Sequence, residues 1–325
     1  MGLQTSFSAS LRNLIEHVAK IADVGRTISN RELIEVCKGH GVFEWNVDPH
    51  FYHEIAETAI NLLIGEKYGP DLLVATDPIK AVSTILRPLQ KRLPTQTWRS
   101  ETQIAFQQFS TPVQIAYLAA YLLNINRGET VLEPSCGTGS LAVWAMAAGA
   151  KVITNEIDPR RRELARVLEL ELEPHGVDAE FIDDLLLSDL IPDVVMANPP
   201  FSSTGGRIKR NSRQYGFRHI ESSLRRLRND GRFAVILGEN GSPSSRAGSR
   251  FWKSLYPGIQ VKASIELPGQ EFSCNGTSVK TTLIIGTKPS VVEPVASSSL
   301  ETVPHIVALS VEDAFEQALT SNLRF

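Results

Sequence analysis

The chain has 325 residues, 42% of them apolar and 21% charged, with a formal net charge of −3; this supports one large core with room for a smaller companion and excludes a disordered, fibrous or generally polycationic protein. Three widely spaced cysteines, Cys37, Cys136 and Cys274, leave one unpaired in any disulfide scheme and form no C-x-x-C pair, which points to a reducing cytoplasm and away from zinc. Met1 to Ser10 lacks a basic stretch followed by an apolar core, and no apolar run approaches the roughly 18 residues of a membrane span, so a soluble, unsecreted protein is expected.

In chain order, Leu11, Leu14, Ile15, Val18 and Ile21 recur at helical spacing, and Asn30 to Val36 and Phe51 to Ile64 read the same way. Residues 1–100 are therefore expected to form a helical domain, with Phe43, Trp45, Phe51 and Tyr52 packing between helices. Pro70, Pro78, Pro88 and Pro94 punctuate the approach to the next region. From Thr111 strands alternate with helices. Strands are predicted at Thr130 to Glu133, Lys151 to Glu156, Ala179 to Ile182, Val194 to Ala197, Arg232 to Gly238, Lys262 to Glu266 and Thr281 to Gly286. The fold class is α/β: a Rossmann-like, mainly parallel sheet with helices on both faces over residues 101–290. Residues 291–325 read as a Val/Pro/Ser-rich linker and a short C-terminal helix at Val311 to Leu319.

In such sheets ligands sit beyond the carboxyl ends of the strands, where the candidate residues cluster. The segment Phe106 to Pro112 (FQQFSTP) enters a helix at Ser110 or Thr111, whose hydroxyls suit capping while backbone N–H groups meet a carboxylate. Next comes Glu133-Pro134-Ser135-Cys136-Gly137-Thr138-Gly139-Ser140-Leu141, an acidic strand end and a glycine turn opening a helix. The turn matches G-x-G-x-x-A, a pattern shared by dinucleotide and S-adenosylmethionine sites. Glu133 decides between them: an acid there suits the cationic amino group of a methionine moiety and would sit badly beside a pyrophosphate. Glu156 closes the second strand, where its two oxygens can accept the ribose hydroxyls. Asp183 and Asp184 end the expected third strand, where a carboxylate of one of the pair can accept from the adenine amine and the other is a solvated turn residue.

Asn198-Pro199-Pro200-Phe201 supplies the chemistry. An exocyclic amine conjugated to an aromatic ring is a poor nucleophile because its lone pair is delocalised. Carbonyl acceptors at the Asn198 side chain and the Pro199 backbone would draw the nitrogen toward tetrahedral geometry and stabilise the charge that develops on it. Pro199 and Pro200 stiffen the turn, and Phe201 offers a stacking face. Between Thr204 and Arg228 lie eight basic residues against the single acid Glu221. Arg207, Lys209, Arg210 and Arg213 stand nearest the catalytic turn and are the candidate phosphate contacts. The seven histidines lack metal-ligand spacing, so no metal site is expected.

On these motifs the chain resembles the class I S-adenosylmethionine-dependent N6-adenine DNA methyltransferases, including the modification subunits of type I restriction systems, over about residues 100 to 290. It also resembles methylase domains of phage and plasmid proteins related to the strawberry notch group. FQQFSTP is similar to the methionine-contacting motif of that family. Ile265-Glu266-Leu267-Pro268 through Phe272, followed by Thr277 to Ile285, resembles its late hairpin. The resemblance implies Asn198 and Phe201 as the catalytic pair, Thr111, Glu133, Pro134, Gly137, Gly139, Glu156 and Asp184 as cofactor residues, and Phe272 as a base-packing aromatic. It implies DNA as substrate. The chain departs from the family in that no sizeable target-recognition region follows the catalytic fold, so sequence choice is expected from the helical N-terminal region or from a separate specificity or helicase polypeptide. An RNA or protein-glutamine amino methyltransferase, or a non-catalytic nucleic-acid-binding subunit, are the alternatives.

Overall fold

The computed structural model describes residues 2–42, 49–96, 109–170, 174–200, 215–291 and 303–325. The N-terminal third is helical, as its periodicity predicts: α1 (Gly2–Asp23), α2 (Asn30–Gly39), α3 (Pro49–Leu63), α4 (Gly69–Leu73), α5 (Pro78–Ala81) and α6 (Arg87–Arg92). α2 opens on a capping box in which Ser29 and Glu32 satisfy each other's backbone N–H groups. Pro78 occupies the first turn of α5, capped by Asp77, where a missing N–H costs nothing; Pro70 and Pro88 follow the π-helical turns Ile64–Tyr68 and Val82–Leu86, which run on from α3 and α5 without a break. Phe51 and Tyr52 are buried as expected, while Phe43 and Trp45 lie outside the described residues.

After α7 (Val113–Leu123) come β1 (Thr130–Glu133), α8 (Ala142–Ala147), β2 (Lys151–Thr154), α9 (Pro159–Val167), α10 (Ile182–Leu185) and β3 (Val194–Ala197). Then follow α11 (Tyr215–Arg226), β4 (Gly231–Gly238), α12 (Arg246–Leu255), β5 (Gln260–Leu267), β6 (Thr281–Lys288), β7 (His305–Val307) and α13 (Val311–Thr320). The seven-stranded sheet runs β2-β1-β3-β4-β6-β5-β7. Neighbours are parallel except where β6 pairs antiparallel with β4 and β5. This is the Rossmann-like sheet predicted, and it places the carboxyl ends of β1, β2, β3 and β4 along one edge.

Strand pleating divides the core. Ala234 and Ile236 of β4 face one apolar cluster, and Phe233, Val235 and Leu237 face the other. The first cluster runs without a break from Leu11, Leu14 and Ile55 in the helical region to Val131, Met196 and Ile285 in the sheet. The helical region therefore shares a core with the sheet.

Two expectations are corrected. The strand predicted at Ala179 to Ile182 is a 3-10 turn (Ala179–Phe181) leading into α10, and Phe181 is exposed. Beyond β2 the described backbone makes one bridge, Asn155 with His175. The C-terminal segment is more than linker and helix: β7 extends the sheet, and α13 docks through Glu312 to Arg87 while the Val311 N–H meets Glu271. Among the described residues no helix is long and apolar enough to cross a membrane, and no group of three or more His, Cys, Asp or Glu is placed to hold a metal ion.

Candidate functional site

A cavity opens at the carboxyl edge of β1, β2 and β3. Its walls include Ser110, Thr111, Glu133, Pro134, Gly137, Glu156, Arg161, Asp178, Asn198 and His219. Residues widely separated in sequence meet here because the parallel strands end together.

The glycine turn has the geometry its sequence requires. Gly137 and Gly139 take φ of +57° and +88°, a region costly for residues with a Cβ. A Cβ on Gly137 would meet the Arg161 guanidinium, and one on Gly139 the Leu168 side chain. The turn is held from both sides. Glu156 Oε2 accepts from the Gly137 N–H at 2.8 Å, and Asn61 Nδ2 of α3 donates to the Thr138 carbonyl at 2.8 Å. Asn155 donates to the Pro134 carbonyl at 2.9 Å, tying the ends of β1 and β2 together.

Glu133 is 2% exposed. It accepts from the Ala142 N–H at the start of α8, yet its Oε2 has no hydrogen-bond partner. Burial holds its carboxyl well above the ordinary carboxylate range, opposed by the Ala142 N–H. A buried acceptor without a donor costs about 1–3 kcal/mol, which a donor-bearing ligand would offset. That orphaned oxygen fits the ammonium end of S-adenosylmethionine. Glu156 uses one lone pair of each oxygen on the Gly137 and Asp158 N–H groups, leaving the others to accept ribose hydroxyls.

On the opposite wall Asn198 Nδ2 donates to the Phe109 carbonyl at 3.2 Å and to Thr111 Oγ1 at 2.9 Å. A carbonyl only accepts, so the amide must turn its nitrogen toward this segment and keep Oδ1 as an acceptor. Thr111 thus orients Asn198 instead of capping a helix: α7 begins at Val113 behind Pro112, with no side-chain cap. The neighbouring Gly216 of α11 allows that helix to press against the Pro200 carbonyl, where a Cβ would clash.

Asp184 is exposed on α10 and does not line the cavity, and Asp183 is engaged by Ser222 at 2.6 Å and Arg225 at 3.0 Å. The cavity acid on this side is Asp178, displaced from the expected position because the strand before Asp183 does not form. Phe272 has no exposed surface and belongs to the core cluster, so it does not face a base in this structure. Phe201, Arg207, Lys209, Arg210 and Arg213 lie outside the described residues. Four other arginines of the basic segment serve the fold: Arg218 pairs with Glu180, Arg225 with Asp183 and Glu221, Arg228 with Asp193, and Arg226 donates to the Leu190 carbonyl.

Sequence reasoning missed His219, Arg161 and the polar face of α3. His219 is buried on the wall beside Ser135, and burial lowers its imidazole to about 4, so it is neutral near pH 7. Glu54, Thr58 and Asn61 are buried at helical spacing in α3, on a helix that also buries His50 and His53. That polar ridge, which needs partners, was the signal available.

The chain belongs to the N-6 DNA Methylase family, whose profile matches residues 98–296. It is 33% identical over 107 residues to the MjaVII type I restriction enzyme methylase subunit of Methanocaldococcus jannaschii, covering 29% of this chain and 18% of that one. It is 26% identical over 115 residues to a tRNA (guanine(10)-N(2))-methyltransferase of Dictyostelium discoideum, covering 32% of this chain and 22% of that protein. The matches therefore span about a fifth of these relatives. Among solved structures, a Listeria monocytogenes protein assigned to the class I S-adenosylmethionine-dependent methyltransferases aligns over 98% of both chains, with a TM-score of 0.54 and 15% identity. A modification subunit assigned to a type I restriction enzyme of Vibrio vulnificus YJ016 aligns over 90% of this chain and 62% of that one, with a TM-score of 0.50 and 16% identity. These likenesses establish a class I methyltransferase fold, and the family defines S-adenosylmethionine as the cofactor.

Proposed function

We propose that this chain transfers a methyl group from S-adenosylmethionine to the exocyclic N6 amine of adenine in DNA. The observation that carries the reading is the orientation of Asn198: its nitrogen is spent on Phe109 and Thr111, which leaves Oδ1 to accept an amine hydrogen at the edge of the cofactor cavity. The bound cofactor supplies an electrophilic methyl group. Asn198 Oδ1 and the Pro199 carbonyl accept the two amine hydrogens, localise the lone pair and stabilise the charge that grows as the N–C bond forms. Transfer relies on positioning more than on a strong base. His219, neutral at working pH, adds no charge to repel a sulfonium.

In this reading Glu133 takes the cofactor ammonium, Glu156 the ribose and Asp178 the adenine amine of the cofactor, in place of Asp184. Phe201 stacks on the flipped base, and Arg207, Lys209, Arg210 and Arg213 neutralise phosphates as the base leaves the stack. A separate specificity or helicase polypeptide supplies sequence choice. The tRNA methyltransferase relative favours a second reading, amino methylation of RNA. Labelled-methyl transfer to unmethylated duplex DNA, single-stranded DNA, RNA and protein, with mass spectrometry of the digests, separates these readings. N6-methyladenine in DNA is the expected product. N4-methylcytosine, a methylated guanine in RNA, methylated glutamine or no product overturns the assignment.

A further inference from the structure

Arg161 is the one cation among the described residues lining a cavity that also presents Glu133, Glu156 and Asp178. It is 5% exposed, yet its guanidinium reaches the cavity wall from α9. The desolvation of a buried guanidinium must be offset by partners. Nη2 donates to Ser110 Oγ at 2.9 Å, and Nε faces Glu54 Oε1 at 3.3 Å, too poorly aligned to count as a hydrogen bond. A guanidinium has five donors, so this leaves most of them unspent. Burial would lower its pKa, but Glu156, Glu54 and Glu57 raise it, so it is charged at any working pH.

The same cavity therefore holds a buried carboxyl oxygen without a partner at Glu133 and a buried cation with spare donors at Arg161. That pairing matches the zwitterionic end of an amino acid. The guanidinium also packs over Gly137, in the space a Cβ there would take.

We propose that Arg161, oriented by Glu54 of α3 and by Ser110, binds the carboxylate of the cofactor's methionine moiety opposite Glu133. The assignment rests on the cofactor reading of the cavity, and it makes the helical region part of the cofactor site. Its donors form a planar fork suited to a carboxylate, which a lysine ammonium lacks.

Calorimetric titration with S-adenosylmethionine and with decarboxylated S-adenosylmethionine, which keeps sulfonium and amine but lacks the carboxylate, tests this without any turnover. Arg161→Gln should weaken S-adenosylmethionine binding on the order of tenfold or more, the scale of a missing charge-assisted hydrogen bond, and leave affinity for the decarboxylated compound nearly unchanged. Arg161→Lys should give an intermediate ratio of the two affinities. Parallel loss for both ligands, or an unchanged ratio in the lysine variant if the glutamine variant does not fold, shows a structural arginine and overturns the assignment alone. Wild-type protein that binds neither ligand overturns the cofactor reading as well.

Discussion

Two charged clusters lie within one domain, and they are built in opposite ways. Around the cavity, Glu133, Glu156 and Arg161 are nearly removed from water, with an unpartnered oxygen on Glu133 and spare donors on Arg161. Along α11, Arg218 is half-buried and Arg225 exposed, and each is matched by the protein's own carboxylates. Solvated pairs contribute about 0–1 kcal/mol and ask for nothing further, whereas buried charge without a full set of partners is costly and persists where a ligand completes it. Burial with an incomplete set of partners, more than density of charge, is what distinguishes the cavity cluster.

The contrast is broken most severely at Asn198. Asn198→Ala removes the acceptor that matters when charge develops on the amine, a loss of about 2.7–4 kcal/mol for a comparable transition-state hydrogen bond, or roughly a hundredfold to a thousandfold in turnover. Cofactor affinity, measured by calorimetry, should change little. Equal losses in turnover and cofactor binding would make Asn198 a scaffold for the Phe109 to Thr111 segment instead.

Glu133→Gln tests the cost of burial with an incomplete set of partners. Because burial raises the carboxyl in the folded chain, its favourable contribution is fully present below the ordinary glutamate pKa of about 4.3 and is lost as pH rises toward the raised folded value. Wild-type stability, followed by urea unfolding, should therefore fall as pH rises above the ordinary glutamate value by more than that of Glu133→Gln. The same variant should bind S-adenosylmethionine more weakly, since a neutral amide lacks the charge for an ammonium. A pH dependence identical to wild type would mean that Glu133 is not the group titrating.

What could be read in the sequence follows the range of the interactions. Glu133, Gly137, Gly139, Glu156 and Asn198 were legible because each is fixed by its own strand end or turn, and local spacing records that. The link from Asn61 to Thr138 spans 77 residues and the pairing of Glu54 with Arg161 joins α3 to α9, so no local pattern reports them. Asp184 was misplaced because Phe181 and Ile182 look like a strand end, although Phe181 faces solvent and the chain turns before pairing. β7 was missed because its three residues, His305–Val307, follow a Val/Pro/Ser-rich stretch, and their strand character comes from register with Ser264, Ile265 and Glu266.

The smallest effect sharpens the comparison on the basic segment. If Arg218 and Arg225 serve the fold, Arg218→Gln with Arg225→Gln should cost about 0–1 kcal/mol per exposed pair. It should also leave the salt dependence of DNA binding unchanged, because guanidiniums already matched by Glu180, Asp183 and Glu221 release few counterions from a phosphate. Replacing Arg207, Lys209, Arg210 and Arg213 with Ala should instead flatten the plot of log affinity against log salt by about 0.9 for each phosphate that is no longer neutralised. Both sets carry the same kind of charge within one short stretch of sequence, so composition cannot explain a difference between them. Fluorescence anisotropy with a labelled duplex over a salt series gives both slopes. A flattened slope in the Arg218 and Arg225 variant would mean that these arginines leave their carboxylates for DNA, and an unchanged slope in the fourfold variant would return Arg207 to Arg213 to solvated surface.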